Sequence, residues 1–268
     1  MKITVLVENT STINGYEKEK GLSFYITTDH HKILFDCGMG SKFSNNARKM
    51  GIDLSGVDVA FISHGHQDHG GGLDEFLRIN KIAPIYIQKT TFGKYYAKIR
   101  DRFYYGGLNQ KLSANPRFTV LDGTARIDEE LQVVSGIPRK KESKNLYMKS
   151  GGQYLPDVFE HEQSLVISEK GKKVLISGCS HCGIDNILSS AQELFGNIDF
   201  VIGGFHLIAY DFEKDEDLLE IDSLAKNLLA ENAAYYTCHC TSTAGYSRLK
   251  KSMGERIGYL STGNTIFI

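Results

Sequence analysis

Short apolar runs alternate with polar, glycine-marked breaks along the whole chain, which is the pattern of strands and helices interleaved in an α/β protein. Lys2–Val7, Leu22–Thr28 and Lys32–Phe35 read as strands, the third ending in Asp36-Cys37-Gly38-Met39-Gly40. Ser41 is placed to cap a helix that runs to about Met50, where Gly51 stops it. The apolar run Val57–Ile62 predicts a buried strand, followed by a short helix over Gly70–Leu77 and a strand over Pro84–Ile87. Phe118–Leu121, Ala125–Ile127 and Leu131–Val134 predict short strands that begin a second sheet. Beyond them come strands at Ser164–Ser168 and Lys173–Ser177, a helix over Gly183–Phe195, and a strand at Ile198–Ile202. A helix over Glu216–Glu231, a strand at Ala234–Thr237 and a helix over Thr241–Met253 follow, then final strands near Arg256–Leu260 and Thr265–Ile268. The halves share an order of elements without a legible sequence repeat, and no linker divides 1–268 into two domains.

Two stretches break this rhythm. Over 89–117, Tyr95, Tyr96, Phe103, Tyr104 and Tyr105 interleave with Lys94, Lys98, Arg100 and Arg102 until Gly106-Gly107 ends the run. It reads either as an inserted cap over an active-site mouth, where rings stack and cations meet an anion, or as an amphipathic helix covering a core. Lys140–Pro156 is polar and glycine-containing, and reads as a long loop or lid.

With 41% hydrophobic residues among 268, the chain can fill a core without disulfides. A net charge of −1 argues against bulk nucleic-acid binding. The charge is unevenly placed: Lys89–Lys111 carries six basic residues and one acid, Arg139–Lys149 five and one, and Asp211–Asp222 seven acids against one Lys. Charge runs of this kind are commonly solvated faces. The amino-terminal segment is interrupted at Glu8 too soon for a signal peptide, and no apolar run approaches the roughly 18 residues of a spanning helix. The expected location is cytoplasmic, with the five cysteines as reduced thiols.

The chemistry concentrates in Ser63-His64-Gly65-His66-Gln67-Asp68-His69-Gly70, at the carboxyl end of the Val57–Ile62 strand, where an α/β sheet opens to ligands. Three imidazoles and a carboxylate in six positions suit zinc, iron or manganese. A solvated polar loop is the bland alternative. Two ions about 3.5–4 Å apart need more donors than one loop holds. Three later strand ends carry histidines: His181 in Gly178-Cys179-Ser180-His181-Cys182, His206 after Gly203-Gly204-Phe205, and His239 in Cys238-His239-Cys240. Cys179, Cys182, Cys238 and Cys240 would also permit a closed structural zinc site.

The His64-x-His66-x-Asp68-His69 stretch resembles the HxHxDH signature of the metallo-β-lactamase superfamily, an αββα sandwich of hydrolases and some oxidoreductases. Ile33–Gly38, Glu162–Leu165 and the phrases around His181, His206 and His239 extend the likeness over nearly the whole chain. They resemble the branch named after dihydropterin-ribofuranosylaminobenzene phosphate synthase. The resemblance implies a four-layer α/β sandwich and two divalent cations, zinc first, with manganese or iron as alternatives. It places His64, His66 and His181 around one ion and Asp68, His69 and His239 around the other, with Asp36 behind them. Cys179 falls where related enzymes put a bridging Asp or a Cys ligand, and His206 is left to the substrate as a hydrogen-bond donor or general acid. His161 stands near the superfamily's usual third histidine with its role open. Lys20 and Cys182 depart from the branch's usual His and Pro.

The expected activity is hydrolysis of a small anionic, phosphate-bearing ester by a metal-bound hydroxide that Asp68 orients, the pKa of water falling from 15.7 toward roughly 7. A pterin-diphosphate-dependent transferase and an iron-dependent oxidoreductase are the alternatives. The oxidoreductase lacks an extra Glu between the histidines, where Gly65 and Gln67 stand, and no flavin domain follows.

Overall fold

The computed structural model describes residues 1–139 and 145–268. In chain order the strands are β1 (Lys2–Val7), β2 (Ser23–Thr27), β3 (Lys32–Phe35), β4 (Val59–Phe61), β5 (Ile85–Gln88), β6 (Tyr95–Ile99), β7 (Arg102–Tyr105), β8 (Phe118–Leu121) and β9 (Ala125–Arg126). They continue with β10 (Leu131–Ser135), β11 (Leu146–Ser150), β12 (Gln153–Pro156), β13 (Gln163–Glu169), β14 (Lys172–Ile176), β15 (Phe200–Gly203), β16 (Ala234–Thr237), β17 (Ile257–Tyr259) and β18 (Thr265–Phe267). The α-helices are α1 (Lys42–Lys49), α2 (Gln67–Gly70), α3 (Leu73–Ile79), α4 (Ile184–Phe195), α5 (Asp215–Ala230) and α6 (Ser242–Met253).

Two seven-stranded sheets, ordered β18-β1-β2-β3-β4-β5-β8 and β17-β16-β15-β14-β13-β10-β9, stack face to face. Strand periodicity sorts their side chains. On β3, Ile33 and Phe35 enter the apolar layer between the sheets while Leu34 faces the helices; on β14, Val174 and Ile176 point inward and Leu175 outward. A second apolar layer joins the first sheet to α1 and α3 through Leu6, Phe43, Ala47, Leu73 and Phe76, and a third joins the second sheet to α4, α5 and α6. Three apolar layers between four structural ones make the expected αββα sandwich.

Each sheet is antiparallel on one side and parallel on the other. In the first, β3 pairs parallel with β4; in the second, β14, β15 and β16 run parallel. Parallel neighbours end on the same side, so loops after β3, β4, β14, β15 and β16 leave from one edge of the sandwich.

Several expectations are corrected. Phe118–Leu121 adds to the edge of the first sheet, parallel to β5, instead of beginning the second. The segment over 89–117 contains no amphipathic α-helix: β6 and β7 form a hairpin, which joins β11 and β12 in a four-stranded sheet ordered β12-β11-β6-β7. The expected loop over Lys140–Pro156 is therefore largely a second hairpin, its part at 140–144 lying outside the described residues. Strand alternation was obscured there because one face carries Tyr147 and Tyr154, which pack with Tyr96 and Phe103 of the other hairpin and not on a large core, with Lys149 lying over Tyr154 and Lys98 over Phe103. The expected Gly70–Leu77 helix is two pieces, α2 and α3. Among the described residues, no helix is long and apolar enough to cross a membrane.

Candidate metal centre

The shared edge gathers the histidines. Asp36 follows β3, His64 follows β4, Cys179 and His181 follow β14, His206 follows β15 and His239 follows β16. The glycine between His64 and His66 is sterically required: a Cβ on Gly65 would lie 2.3 Å from the Thr91 carbonyl oxygen and 2.6 Å from the Tyr95 ring.

Ring nitrogens face each other in pairs. His64 Nε2 lies 3.3 Å from His181 Nε2, and His69 Nε2 lies 3.2 Å from both His239 Nε2 and Cys179 Sγ. Asp68 Oδ2 is 3.9 Å from His239 Nε2. The opposite nitrogens are mostly held by acceptors: His69 Nδ1 by Asp36 Oδ2 at 2.6 Å, His239 Nδ1 by Asn9 Oδ1 at 2.7 Å, and His64 Nδ1 by Ser63 Oγ at 2.9 Å. Ser63 Oγ in turn donates to Asp36 Oδ2 at 2.7 Å, and its backbone N–H donates to Oδ1 at 2.7 Å, so one carboxylate stands behind both His64 and His69.

With protons placed on Nδ1, the Nε2 lone pairs converge, an arrangement that repels unless a cation sits between them. The fit to zinc is close: nitrogen bonds of about 2.0–2.1 Å in a tetrahedron set neighbouring ligand atoms about 3.3 Å apart. Burial, then the crowding of other imidazoles, holds His64 well below the ordinary histidine value. Burial followed by His206 does the same to His181, and neutral rings are what a cation requires. Burial alone would raise the Asp68 carboxyl, but His69 and His239 outweigh it and hold it down to about 2.

The donor atoms of His66 group with those of Asp157 and His161. The His66 ring centroid is 4.6 Å from that of His64 and 5.0 Å from that of His181, while its Nε2 is turned to Asp157 Oδ2 at 3.7 Å. His161 has both nitrogens engaged: Nδ1 accepts from the Gly65 N–H at 2.9 Å, and Nε2 donates to Asp157 at 3.1 Å. It therefore steadies the loop between His64 and His66. Cys179 is closer in than a supporting residue, grouped with His64 and His181 on one side and with His69 and His239 on the other. Cys182 and Cys238 join no donor group among the described residues, so the four cysteines do not form one site.

The edge is held under backbone strain. Asp36, Phe159, Ser180, His206 and His239 all have left-handed φ, between 48° and 59°, which non-glycine residues seldom adopt. Glu162 clamps the Ser180–Cys182 turn by accepting from the His181 N–H at 2.7 Å and the Cys182 N–H at 2.9 Å. Phe159 lies flat on the His181 imidazole, ring centroids 4.3 Å apart. Asp157, Phe159, Glu162, Asn9 and Ser63 escaped the sequence reading. Only Ser63 and Glu162 sat beside a recognisable motif.

Two cavities open on the centre. One of about 130 Å³ is lined by His66, Asp68, Cys179, His239 and, from the hairpin side, Tyr96 and Gly106. Lys20 also lines it, its Nζ 4.0 Å from Asp68 Oδ2. A larger one of about 350 Å³ shares His181 and His206 with it and runs toward α4 and α5. His206 sits 4.2 Å from His181 between ring centroids.

Comparison with known proteins agrees with this geometry. Over 288 aligned residues the chain is 27% identical to the 7,8-dihydropterin-6-methyl-4-(beta-D-ribofuranosyl)-aminobenzene-5'-phosphate synthase of Methanocaldococcus jannaschii, covering 99% of this chain and 96% of that protein. The crystal structure of Tm1679, a metal-dependent hydrolase of the beta-lactamase superfamily, is 30% identical, with a TM-score of 0.83 over 100% of this chain and 99% of its own. Zinc-bound PqqB from Methylobacterium extorquens, 12% identical with a TM-score of 0.60 and full coverage of both chains, shares the fold. The sequence profile of the Metallo-beta-lactamase superfamily matches residues 17–228, most of the chain, and on that match the chain belongs to the metallo-beta-lactamase superfamily.

Proposed function

We propose that this chain is a metal-dependent hydrolase that holds two divalent cations and cleaves a small, phosphate-bearing ester. The observation that carries the reading is the convergence of Nε2 atoms, with the rings of His64, His69 and His239 backed by acceptors on the far side. His64, His66 and His181 would hold the first cation, and Asp68, His69 and His239 the second. Cys179 Sγ faces the second, and a thiolate there favours zinc over manganese. Bound, the pair supplies Lewis acidity and makes water acidic enough to ionise near neutral pH.

The chain's own groups supply position. Asp68 orients the attacking water, and His206, beside His181, donates to the substrate oxygen. The hairpin of β6 and β7 caps the smaller cavity: the Gln67 N–H donates to the Gly106 carbonyl at 2.7 Å, tying the hairpin's end to the metal loop. Lys20, which lines that cavity, offers a cation to an anionic substrate. The full-length similarity to a synthase supports a second reading, transfer of a pterinylmethyl group from its diphosphate to an amine. The zinc-loaded chain is assayed against phosphomonoesters, phosphodiesters, thioesters and lactams, and against a pterin diphosphate with an arylamine. Cleavage in the phosphoester arm, abolished by Asp68→Asn, is expected. Metal uptake with no cleavage, but with a C–N coupled product, would select the transferase.

A further inference from the structure

Among the described residues five buried side-chain nitrogen or oxygen atoms have no hydrogen-bond partner within the protein, and three of them belong to residues lining the larger cavity: Arg139 Nη1, His181 Nδ1 and His206 Nδ1. Leaving a buried donor unmade is costly, so native proteins seldom do so without a purpose. His181 is the informative member. Its Nε2 is turned to His64 Nε2 as His69 Nε2 is to His239 Nε2, yet it lacks the acceptor that Asp36, Asn9 or Ser63 gives to its neighbours. Histidines that bind metals normally donate their second N–H to some acceptor.

Charge in the cavity is divided. Arg139 places its guanidinium carbon 5.4 Å from the centroid of Phe159, which stacks on His181, so a cation, an aromatic ring and an imidazole follow one another along one wall. Asp185 and Glu220 put negative charge on the α4 and α5 side, where Asn227 donates to Asp185 at 3.0 Å and Tyr210 bonds to Glu220. An anion is thereby admitted at the Arg139 end and repelled at the other. The volume of about 350 Å³ far exceeds one phosphate and matches a substituted ring or sugar.

We propose that this cavity is a second subsite, binding an oxyanion-bearing group of the substrate remote from the bond that is broken, with Arg139 supplying the charge and His181 Nδ1–H the orienting hydrogen bond. The inference rests on the metal-site reading above, because only a cation on Nε2 fixes the His181 proton on Nδ1. Substrate binding then completes the hydrogen bonding of a metal ligand, so occupancy of the subsite reaches the cation directly.

The test titrates the zinc-loaded full chain with inorganic phosphate, and in a parallel arm with acetate, by calorimetry, alongside NMR of the imidazole N–H protons. Two phosphates per chain are expected, one at the cations and one at Arg139. Arg139→Gln should weaken the second by about 10- to 100-fold, as loss of a charged hydrogen bond does, while zinc content stays the same. The acetate arm shows whether carboxylate or phosphate is preferred. In the parent chain phosphate should bring the Nδ1–H proton of His181 into slow exchange, a readout that stands even where Arg139→Gln fails to fold. A single phosphate site unaffected by Arg139→Gln, or an imidazole spectrum unmoved by phosphate because water already serves that nitrogen, overturns the subsite and leaves the metal site standing. A chain that takes up no zinc overturns the reading beneath both.

Discussion

Asp36→Asn isolates the contribution of one buried carboxylate to the whole centre. The side chain is fully buried, and accepts from the Ser63 N–H, the Ser63 hydroxyl and His69 Nδ1 at 2.6–2.7 Å. Asparagine has nearly the same volume, so no cavity is opened, and it tolerates the left-handed φ of 59° better than most residues. What changes is charge and one acceptor oxygen, which becomes a donor facing His69. Loss of a partner behind a ligating histidine costs 10- to 100-fold in metal affinity, about 1.4–2.7 kcal/mol. His69 meets the carboxylate directly, whereas His64 meets it through Ser63. The ion held by His69 should therefore lose most and the ion held by His64 less, while Ser63→Ala should affect the His64 ion more strongly. Zinc competition with a chromophoric chelator that resolves the two steps, with thermal melting to confirm folding, measures both. A folded Asp36→Asn protein that binds both ions within a factor of two of the parent refutes the reasoning.

Asp157→Asn should weaken the ion held by His66 by about 10- to 100-fold and spare the other, checked by the same competition, because Asp157 stands behind His66 and His161. Gly65→Ala should destabilise the fold by about 1–3 kcal/mol in urea denaturation and lower zinc content, since its Cβ would lie 2.3 Å from the Thr91 carbonyl oxygen. Far from the site, hydrogen bonding to Arg248 lowers the Asp222 carboxyl below its usual 3.8. That pair's contribution is present above the unfolded value and fades as pH falls through the folded one. Both partners are 29% exposed, so Arg248→Ala should lower stability only slightly at pH 7, with the difference from the parent shrinking below pH 4 in denaturation curves.

The four-layer αββα arrangement entered through the resemblance to a family, while the apolar and polar pattern of the chain carried the α/β alternation, the position of His64 to His69 at a strand end, and the delivery of His181, His206 and His239 to the same edge. Each of the latter follows from local rules: an apolar run makes a strand, and parallel strands share a carboxyl end. The pattern failed where a strand has no large core to face. β11 and β12 look like a polar loop because their aromatic residues pack against Tyr96 and Phe103 of a hairpin about fifty residues earlier. What stands behind and beside the donors follows from long-range packing alone. Asn9 reaches His239 across 230 positions, Asp157 reaches His66, and Glu162 grips the turn before His181. Such contacts depend on how the two sheets stack, which no spacing along the chain encodes. The same stacking left His161 with both nitrogens engaged, brought Cys179 against His69, and left His181 Nδ1 unpartnered among the protein's own groups.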